Sequence, residues 1–145
     1  MLRAKDIMTK EHLIAVNENT PVYEAVRLVV EHGVSGIPVV DKNMKLVGLV
    51  SEKDLLRLFR ERKKAEKQTV SDFMTQPAIH FDEEEDLSDV CDFLMRNIFR
   101  RVPITSKEKL VGIISIRDAL QYVLELKGKE AVEQAKEPAE QNVSA

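Results

Sequence analysis

The chain has 145 residues with 22 basic and 25 acidic side chains, enough for one domain or two small lobes that share a core. No apolar run approaches the ~18 residues of a membrane span, the first residues lack the pattern of a secretory signal, and the single cysteine excludes an internal disulfide. A net charge of -3 and the absence of tryptophan argue against nucleic-acid binding. These features predict a cytoplasmic protein of the α/β type that neither crosses a membrane nor binds nucleic acid.

The first half of the chain predicts a helix, two strands and a second helix. Thr20-Pro21 is typical of a helix start, with threonine as the N-cap and proline at the first helical position. Apolar residues at helical spacing follow until Gly33, which is expected to end the helix. Short apolar runs at 37–40 and 46–50 predict strands on either side of a turn, and Ser51 is expected to begin the second helix.

The second half predicts the same order of elements. An acidic run at 82–86 precedes a helix, where negative charge suits the helix dipole. Strands are expected at about 101–104 and 110–115, followed by a helix at 116–126. The charged segment 60–67 is predicted to extend the last helix of the first half. Residues 127–145 are predicted to be a frayed helix that continues into a disordered tail.

Three segments of the first half recur in the same order in the second half. Residues 6–9 return as 72–75, residues 37–39 as 102–104, and residues 48–54 as 112–118. The offset falls from 66 to 65 to 64, as single deletions between the copies would produce. We infer a tandem duplication, with one repeat at 4–66 and the other at 70–126.

The most specific repeated element is Ser-x-x-Asp where a strand runs into a helix, at Ser51 and Asp54 and again at Ser115 and Asp118. One interpretation is a capping box, in which the serine and the acid satisfy backbone N–H groups at the helix start. The other is a ligand site, in which the free N–H groups and the hydroxyl bind phosphate and the carboxylate accepts from ribose hydroxyls. The spacing alone does not choose between them.

The repeated set of Met8-Thr9, the run at 37–40 and Gly48-x-x-Ser51-x-x-Asp54 resembles the cystathionine-beta-synthase (CBS) domain. Two copies resemble a CBS pair, or Bateman module, over roughly residues 4–126. The resemblance implies an α/β (α+β) fold of two β-α-β-β-α repeats, related by a pseudo-twofold, with central sheets and outer helices. It also implies a homodimer formed through those helices, and apolar faces at 55–59 and 119–126 are available for that contact.

The resemblance further implies that an adenosine compound such as AMP, ADP or ATP binds in clefts between the repeats. In the first repeat it assigns Asp54 to bind the ribose and Ser51 to supply a hydroxyl near the phosphate. Four residues are assigned to hold or flank the base: Thr9, Ile14, Val34 and Ser35. In the second repeat it assigns the matching pair to Asp118 and Ser115, with three residues around the base: Ile79, His80 and Phe99.

The second repeat departs from the first at Arg100-Arg101, which stand where the first has Ser35-Gly36. In family members such as the gamma subunit of AMP-activated protein kinase, basic residues at this position reach the phosphates across the central cleft. Two guanidinium groups there would offset phosphate charge in an otherwise acidic protein. The alternative is an exposed arginine pair at the end of a strand.

No residue pattern in the sequence indicates catalysis. The three histidines have no metal-like spacing, and there is no nucleophile–base arrangement and no Walker lysine motif. We therefore expect a regulatory sensor with no cofactor, no metal and no catalytic residue, which signals to an unidentified effector protein. The alternatives are a structural or interaction module without a ligand, a binder of S-adenosylmethionine or NAD, and a low-activity enzyme on nucleotides.

Overall fold

The computed structural model describes residues 1–136, leaving aside the side chain of Lys64. The elements of the first half are α1 Ala4–Ile7, β1 Val16–Asn17, α2 Val22–His32, β2 Gly36–Val40, β3 Leu46–Ser51, α3 Glu52–Leu56 and α4 Leu58–Glu61. Two 3-10 helices connect the halves, at Arg62–Lys67 and Val70–Asp72. The elements of the second half are β4 Phe81–Asp82, α5 Leu87–Arg96, β5 Arg101–Ser106, β6 Lys109–Ser115 and α6 Ile116–Lys136.

The strands form two three-stranded sheets with the same topology. In the order β1-β2-β3 and β4-β5-β6, the first two strands of each sheet are parallel and the last two are antiparallel. The registers also correspond, because β1 pairs Val16 with Val39 while β4 pairs Phe81 with Ile104. Each antiparallel pair has a shift of register at the matching position, after Val39 and after Ile104. The mixed α/β fold of two equivalent units is therefore confirmed.

Each unit completes its core with the first segment of the other repeat. Ala4 of α1 is fully buried in the core of the second unit, and its N–H donates to the carbonyl of Glu85 at 2.8 Å. The connecting segment does the same for the first unit, where Val70 and Phe73 are buried. As a result, residues 1–9 lie against the second unit and the connection lies against the first.

Two glycines allow these exchanged segments, around Met8 and around Met74, to pack against the sheets. Thr9 exchanges backbone hydrogen bonds with Ile113, and a Cβ on the neighbouring Gly112 would lie 2.5 Å from Sδ of Met8. The equivalent Cβ on Gly48 would lie 2.8 Å from Sδ of Met74. Real Cβ contacts are never so short, so each methionine of the repeated Met-Thr motif occupies a space that only glycine leaves open.

Several element boundaries differ from the predictions. Helix α2 begins at Val22 with Pro21 as its N-cap residue, because Thr20 Oγ1 accepts from the N–H of Asn17 instead of capping the helix. Gly33 ends α2 at φ 61°, as predicted. The segment 60–67 is not a continuous helix, since α4 ends at Glu61 and a 3-10 helix follows.

The last helix is longer than the predicted 116–126. Helix α6 continues through Lys136, so residues 127–136 are helical. The rest of the predicted tail, 137–145, lies outside the described residues.

Candidate functional site

Both Ser-x-x-Asp motifs form capping boxes with the same geometry. The N–H of Ser51 donates to Oδ2 of Asp54 at 2.8 Å, and the N–H of Asp54 donates to Oγ of Ser51 at 3.1 Å. The distances for Ser115 and Asp118 are identical. The capping interpretation is therefore correct, but it uses only Oδ2 of each carboxylate. Oδ1 of each aspartate lies outside the box and can accept a further hydrogen bond.

The first cleft, which we call the Asp118 cleft, contains residues from both repeats. The hydroxyl of Thr9 donates to Oδ1 of Asp118 at 3.2 Å. The cleft has a volume of about 130 Å³, and its walls include Ile14, Val34 and Arg101 together with Ser115 and Asp118. The sequence resemblance grouped Thr9, Ile14 and Val34 with Asp54. The structure instead places all three with Asp118, because Thr9 packs against the second unit and Ile14 and Val34 line the same cleft.

The second cleft, which we call the Ser51 cleft, is also lined by residues of both repeats. Ser35 and Ser51 of the first repeat face Phe99 and Arg100 of the second, and the open volume is only about 30 Å³. The sequence resemblance grouped Phe99 with Asp118, whereas the structure places Phe99 in the Ser51 cleft. The structure thus brings Ser115 and Asp118 together with base-flanking residues of the opposite repeat, whereas of the first motif only Ser51 lines a cleft and Asp54 lines none of the cavities.

A central cavity of about 740 Å³ lies between the two clefts and is strongly basic. Arg100, Arg101 and Arg117 line it, with Glu52 as its one carboxylate among the described residues. Nε of Arg101 is buried and has no hydrogen-bond partner within residues 1–136. A buried donor without a partner is costly, so this guanidinium group is suited to an anionic ligand.

Two of the residues assigned to the base do not line these cavities. Ile79 is 42% exposed, and Nδ1 of His80 contacts the carbonyl of Ala78 at 3.0 Å. The sequence interpretation did not include Arg117, although a basic residue inside each Ser-x-x-Asp motif is visible in the sequence. Lys53 and Arg117 occupy the same position inside the two Ser-x-x-Asp motifs, and only the second belongs to the basic cavity.

Neither a metal site nor a membrane span is found in the part of the chain that the structure describes. No three His, Cys, Asp or Glu side chains of residues 1–136 are grouped so that they could hold a metal ion. No helix there combines the length and the apolar character needed to cross a bilayer.

The sequence and the fold match a known family. The model of the family described as CBS domain matches residues 4–61 and 70–125, so the chain belongs to the CBS domain family and carries two copies of the domain. The resemblance inferred from the repeated motifs is confirmed.

Individual relatives show how this pair compares with others. The protein MJ1225 of Methanocaldococcus jannaschii is 33% identical over 82% of this chain, which spans only 42% of that relative's length. The crystal structure of CBSX2 of Arabidopsis thaliana in complex with AMP is 34% identical, with a TM-score of 0.78 over 88% of this chain and 99% of that one. The CBS pair of MJ0100, in complex with 5'-methylthioadenosine and S-adenosyl-L-methionine, is 25% identical, with a TM-score of 0.69 over 84% and 99% of the two chains.

Proposed function

We propose that this CBS pair is a regulatory sensor that binds an adenine nucleotide, with the nucleoside in the Asp118 cleft and the phosphates in the central cavity. The observation that carries the proposal is the position of Arg101, which lines both spaces. A ligand that fills both the cleft and the cavity must have one part with apolar and polar groups and, next to it, an anionic group. An adenine nucleotide has this composition.

The walls of the Asp118 cleft suit a nucleoside. Ile14, Val34 and Ile113 supply an apolar surface for a purine ring. Oδ1 of Asp118 already accepts the hydroxyl of Thr9, and a carboxylate oxygen has lone pairs for a ribose hydroxyl as well. The ribose would therefore bind beside the start of α6.

The central cavity suits phosphates. Arg100 is exposed and Arg101 is half-buried, so the alternative of two solvent-exposed arginines does not describe the second. Arg117 adds a third guanidinium group, and charge-assisted hydrogen bonds of this kind are shorter and stronger than neutral ones. We propose that these arginines bind phosphate oxygens and do not contact the base.

The relatives support an adenosine compound without fixing which one. CBSX2 has been crystallised with AMP, and MJ0100 with 5'-methylthioadenosine and S-adenosyl-L-methionine. S-adenosylmethionine is the second candidate, because it carries the same adenosine group. It lacks phosphates, however, and offers the three arginines a single carboxylate that is accompanied by two positive groups of its own.

A thermal-shift series tests the proposal with AMP, ADP, ATP, NAD and S-adenosylmethionine as probes. A ligand at a hundredfold excess over its Kd stabilises the folded state by about 2.7 kcal/mol. At this chain length that shift raises Tm by several degrees. Asp118→Ala should abolish the shift with adenine nucleotides.

Asp72→Ala is the matched control. Asp72 closes a capping box of the same kind, with the N–H of Thr69 at 2.9 Å from Oδ2, but it lines none of the three cavities. The Asp72→Ala variant should be destabilised by a similar amount through the loss of its helix cap, and its Tm should still rise when the ligand is added. A flat response of the wild type to every probe would contradict the proposal and favour a structural module.

We also propose a homodimer in the cytoplasm that signals to an effector protein through its ligand state. An apolar groove of about 760 Å³ lies between α5 and α6, and its walls include Leu94, Cys91 and Val123. The matching surface of the first repeat exposes Leu56 and Phe59, each at least 70% exposed. Exposed apolar surface of this extent is typical of an interface.

A further inference from the structure

The exposed apolar surfaces of the two repeats differ in shape. The groove between α5 and α6, which we call the α5–α6 groove, has a volume of about 760 Å³. The equivalent hollow of the first repeat, lined by Leu56 and Phe59 among others, has about 230 Å³, and we call this surface the Phe59 patch. Phe59 is 74% exposed, whereas Val123, the equivalent residue 64 positions later, is 56% exposed. The first repeat therefore presents a bulky ring where the second has an open groove.

The two surfaces also differ in charge. Residues 57–67 contain six basic and two acidic side chains, whereas residues 82–92 contain seven acidic side chains and no basic one. Arg62 lines the Phe59 patch, with its guanidinium carbon 5.8 Å from the centre of the Phe59 ring. Asp92 of α5 lines the α5–α6 groove. The apolar surface of the first repeat is thus basic at its edge, and that of the second is acidic.

Neither of these two charges is neutralised by the part of the chain that the structure describes. Arg62 and Asp92 are both exposed, and neither forms an ion pair with another side chain of residues 1–136 whose position is described. Water solvates them as long as the surfaces are open. A molecule that covers either surface must supply the opposite charge, because burying an unpaired charge is costly.

Two copies of the chain can join through these surfaces in two orientations. Patch against patch and groove against groove would bring like charges together and would leave two grooves of about 760 Å³ facing each other. Patch against groove would place Phe59 in the groove of the second copy and Arg62 near Asp92 of that copy. Opposite charges across an interface favour the second orientation, and like charges oppose the first.

From these observations we infer that two chains associate head to tail, so that the Phe59 patch of each copy packs into the α5–α6 groove of the other. The inference rests on the proposed homodimer and goes beyond it, because it specifies which surface meets which and assigns the choice to charge and shape. The same contact is then made twice, which buries both apolar surfaces of each chain and closes the assembly at two copies.

Thiol cross-linking determines the orientation. Cys91 is the only cysteine of the chain and lines the α5–α6 groove, so Leu56→Cys adds one thiol on the Phe59 patch. A short bis-maleimide should join position 56 of one copy to Cys91 of the other, as peptide mass mapping of the cross-linked dimer would show. Adding Cys91→Ser should abolish this dimer. Met44→Cys is the control, since Met44 is 44% exposed and lines neither surface, and it should give no link to Cys91.

Charge reversal tests the role of the charges. Asp92→Arg should raise the dimer Kd by about tenfold or more, because it turns an attraction into a repulsion in both copies of the contact. Arg62→Asp should have the same effect, and the two changes in one chain should restore the wild-type Kd. Asp89→Arg makes the same charge change at an exposed position of α5 that does not line the groove, so it should alter the Kd far less. Sedimentation equilibrium measures each Kd.

The outcomes separate the orientation from the dimer itself. A dimer linked through position 56 of both copies, persisting with Cys91→Ser, would overturn the inference and leave the homodimer in place, as would a dimer without any link between position 56 and Cys91. A link to Cys91 without restoration by the paired charge reversals would overturn the assignment to charge. A monomeric wild type would overturn both the orientation and the dimer. If this monomer sedimented with phosphatidylserine vesicles, the Phe59 patch would be a membrane-binding surface. Nucleotide binding is measured separately by the thermal shift.

Discussion

Thr9 and Asp118 are 109 positions apart in the chain, yet the threonine hydroxyl donates to Oδ1 of the aspartate at 3.2 Å. The contact exists because the first segment of the first repeat packs against the second unit. It places a hydroxyl from one end of the chain on the carboxylate that we assign to the ribose. The candidate site is therefore a property of the pair and of neither repeat alone.

Replacing Arg100 and Arg101 together by alanine should weaken ATP and ADP far more than adenosine. Each hydrogen bond to a charged group contributes about 1.5–3 kcal/mol. The loss should thus be about ten- to a hundredfold for each contact, measured as Kd by calorimetry. Arg96→Ala is the control, because this arginine is exposed at the end of α5 and lines none of the three cavities. Equal losses for ATP and adenosine would show that the arginines shape the cleft and do not bind phosphate.

Gly112→Ala should destabilise the fold by about 1–3 kcal/mol, because its Cβ would meet Sδ of Met8 at 2.5 Å and overpack the interface. Gly128→Ala is the matched control in α6, where a Cβ meets nothing within 4 Å. It should stabilise the helix by about 0.5–1 kcal/mol. Urea unfolding measures both changes. Adding Met8→Ala to Gly112→Ala should recover part of the loss, and no recovery would mean that this methionine is not the obstacle.

Val123→Glu should convert the proposed dimer into a monomer, since Val123 is 56% exposed and lines the apolar groove between α5 and α6. Burying an unpaired carboxylate there would cost more than the contact gains. Light scattering after size exclusion measures the mass of each species. Gln121→Glu introduces the same charge at an exposed position of α6 outside that groove, and it should remain dimeric. A monomeric wild type would contradict the dimer directly.

The docking of α1 should weaken in acid. Glu84 bonds Lys5 at 2.7 Å and Arg3 at 2.8 Å, and the hydrogen bond from Lys5 is the main reason that the pKa of Glu84 falls below its ordinary 4.5. A carboxyl group whose pKa is lower in the folded than in the unfolded chain stabilises the fold at any pH above the unfolded-state pKa. This stabilisation is lost as the pH falls through the folded-state pKa. The difference in Tm between wild type and Glu84→Gln should thus shrink below about pH 4.5. A constant difference between pH 7 and pH 3 would contradict this origin.

Much of the fold could be predicted because its signals are local. The repeated motifs identified the family, and Gly33 ended α2 where the sequence placed the boundary. The prediction that Thr20 caps α2 was wrong, because its hydroxyl accepts the backbone N–H of Asn17 and not one at the start of the helix. That competition depends on the turn that precedes the helix and leaves no separate pattern in the sequence.

The composition of the clefts could not be predicted in the same way. A repeat offset shows that Thr9 and Thr75 are equivalent, but it does not show which unit each one packs against. Sequence therefore grouped Val34 with Asp54, whereas long-range packing places it with Asp118. Residue types such as Ser51 and Phe99 were recognised individually, and their partners emerged only from the three-dimensional arrangement.

The exchange of segments between the units also affects how the chain folds during synthesis. Thr9 is synthesised before the rest of the pair, but its partners Ile113 and Asp118 are made more than a hundred residues later. The second core and the Asp118 cleft cannot close until the second repeat has been made, and such non-local contacts slow folding. The first core needs only Val70 and Phe73 of the connection, so it can form earlier. Until then the N-terminal residues remain unprotected, which makes them the expected target of proteases or chaperones acting on the nascent protein.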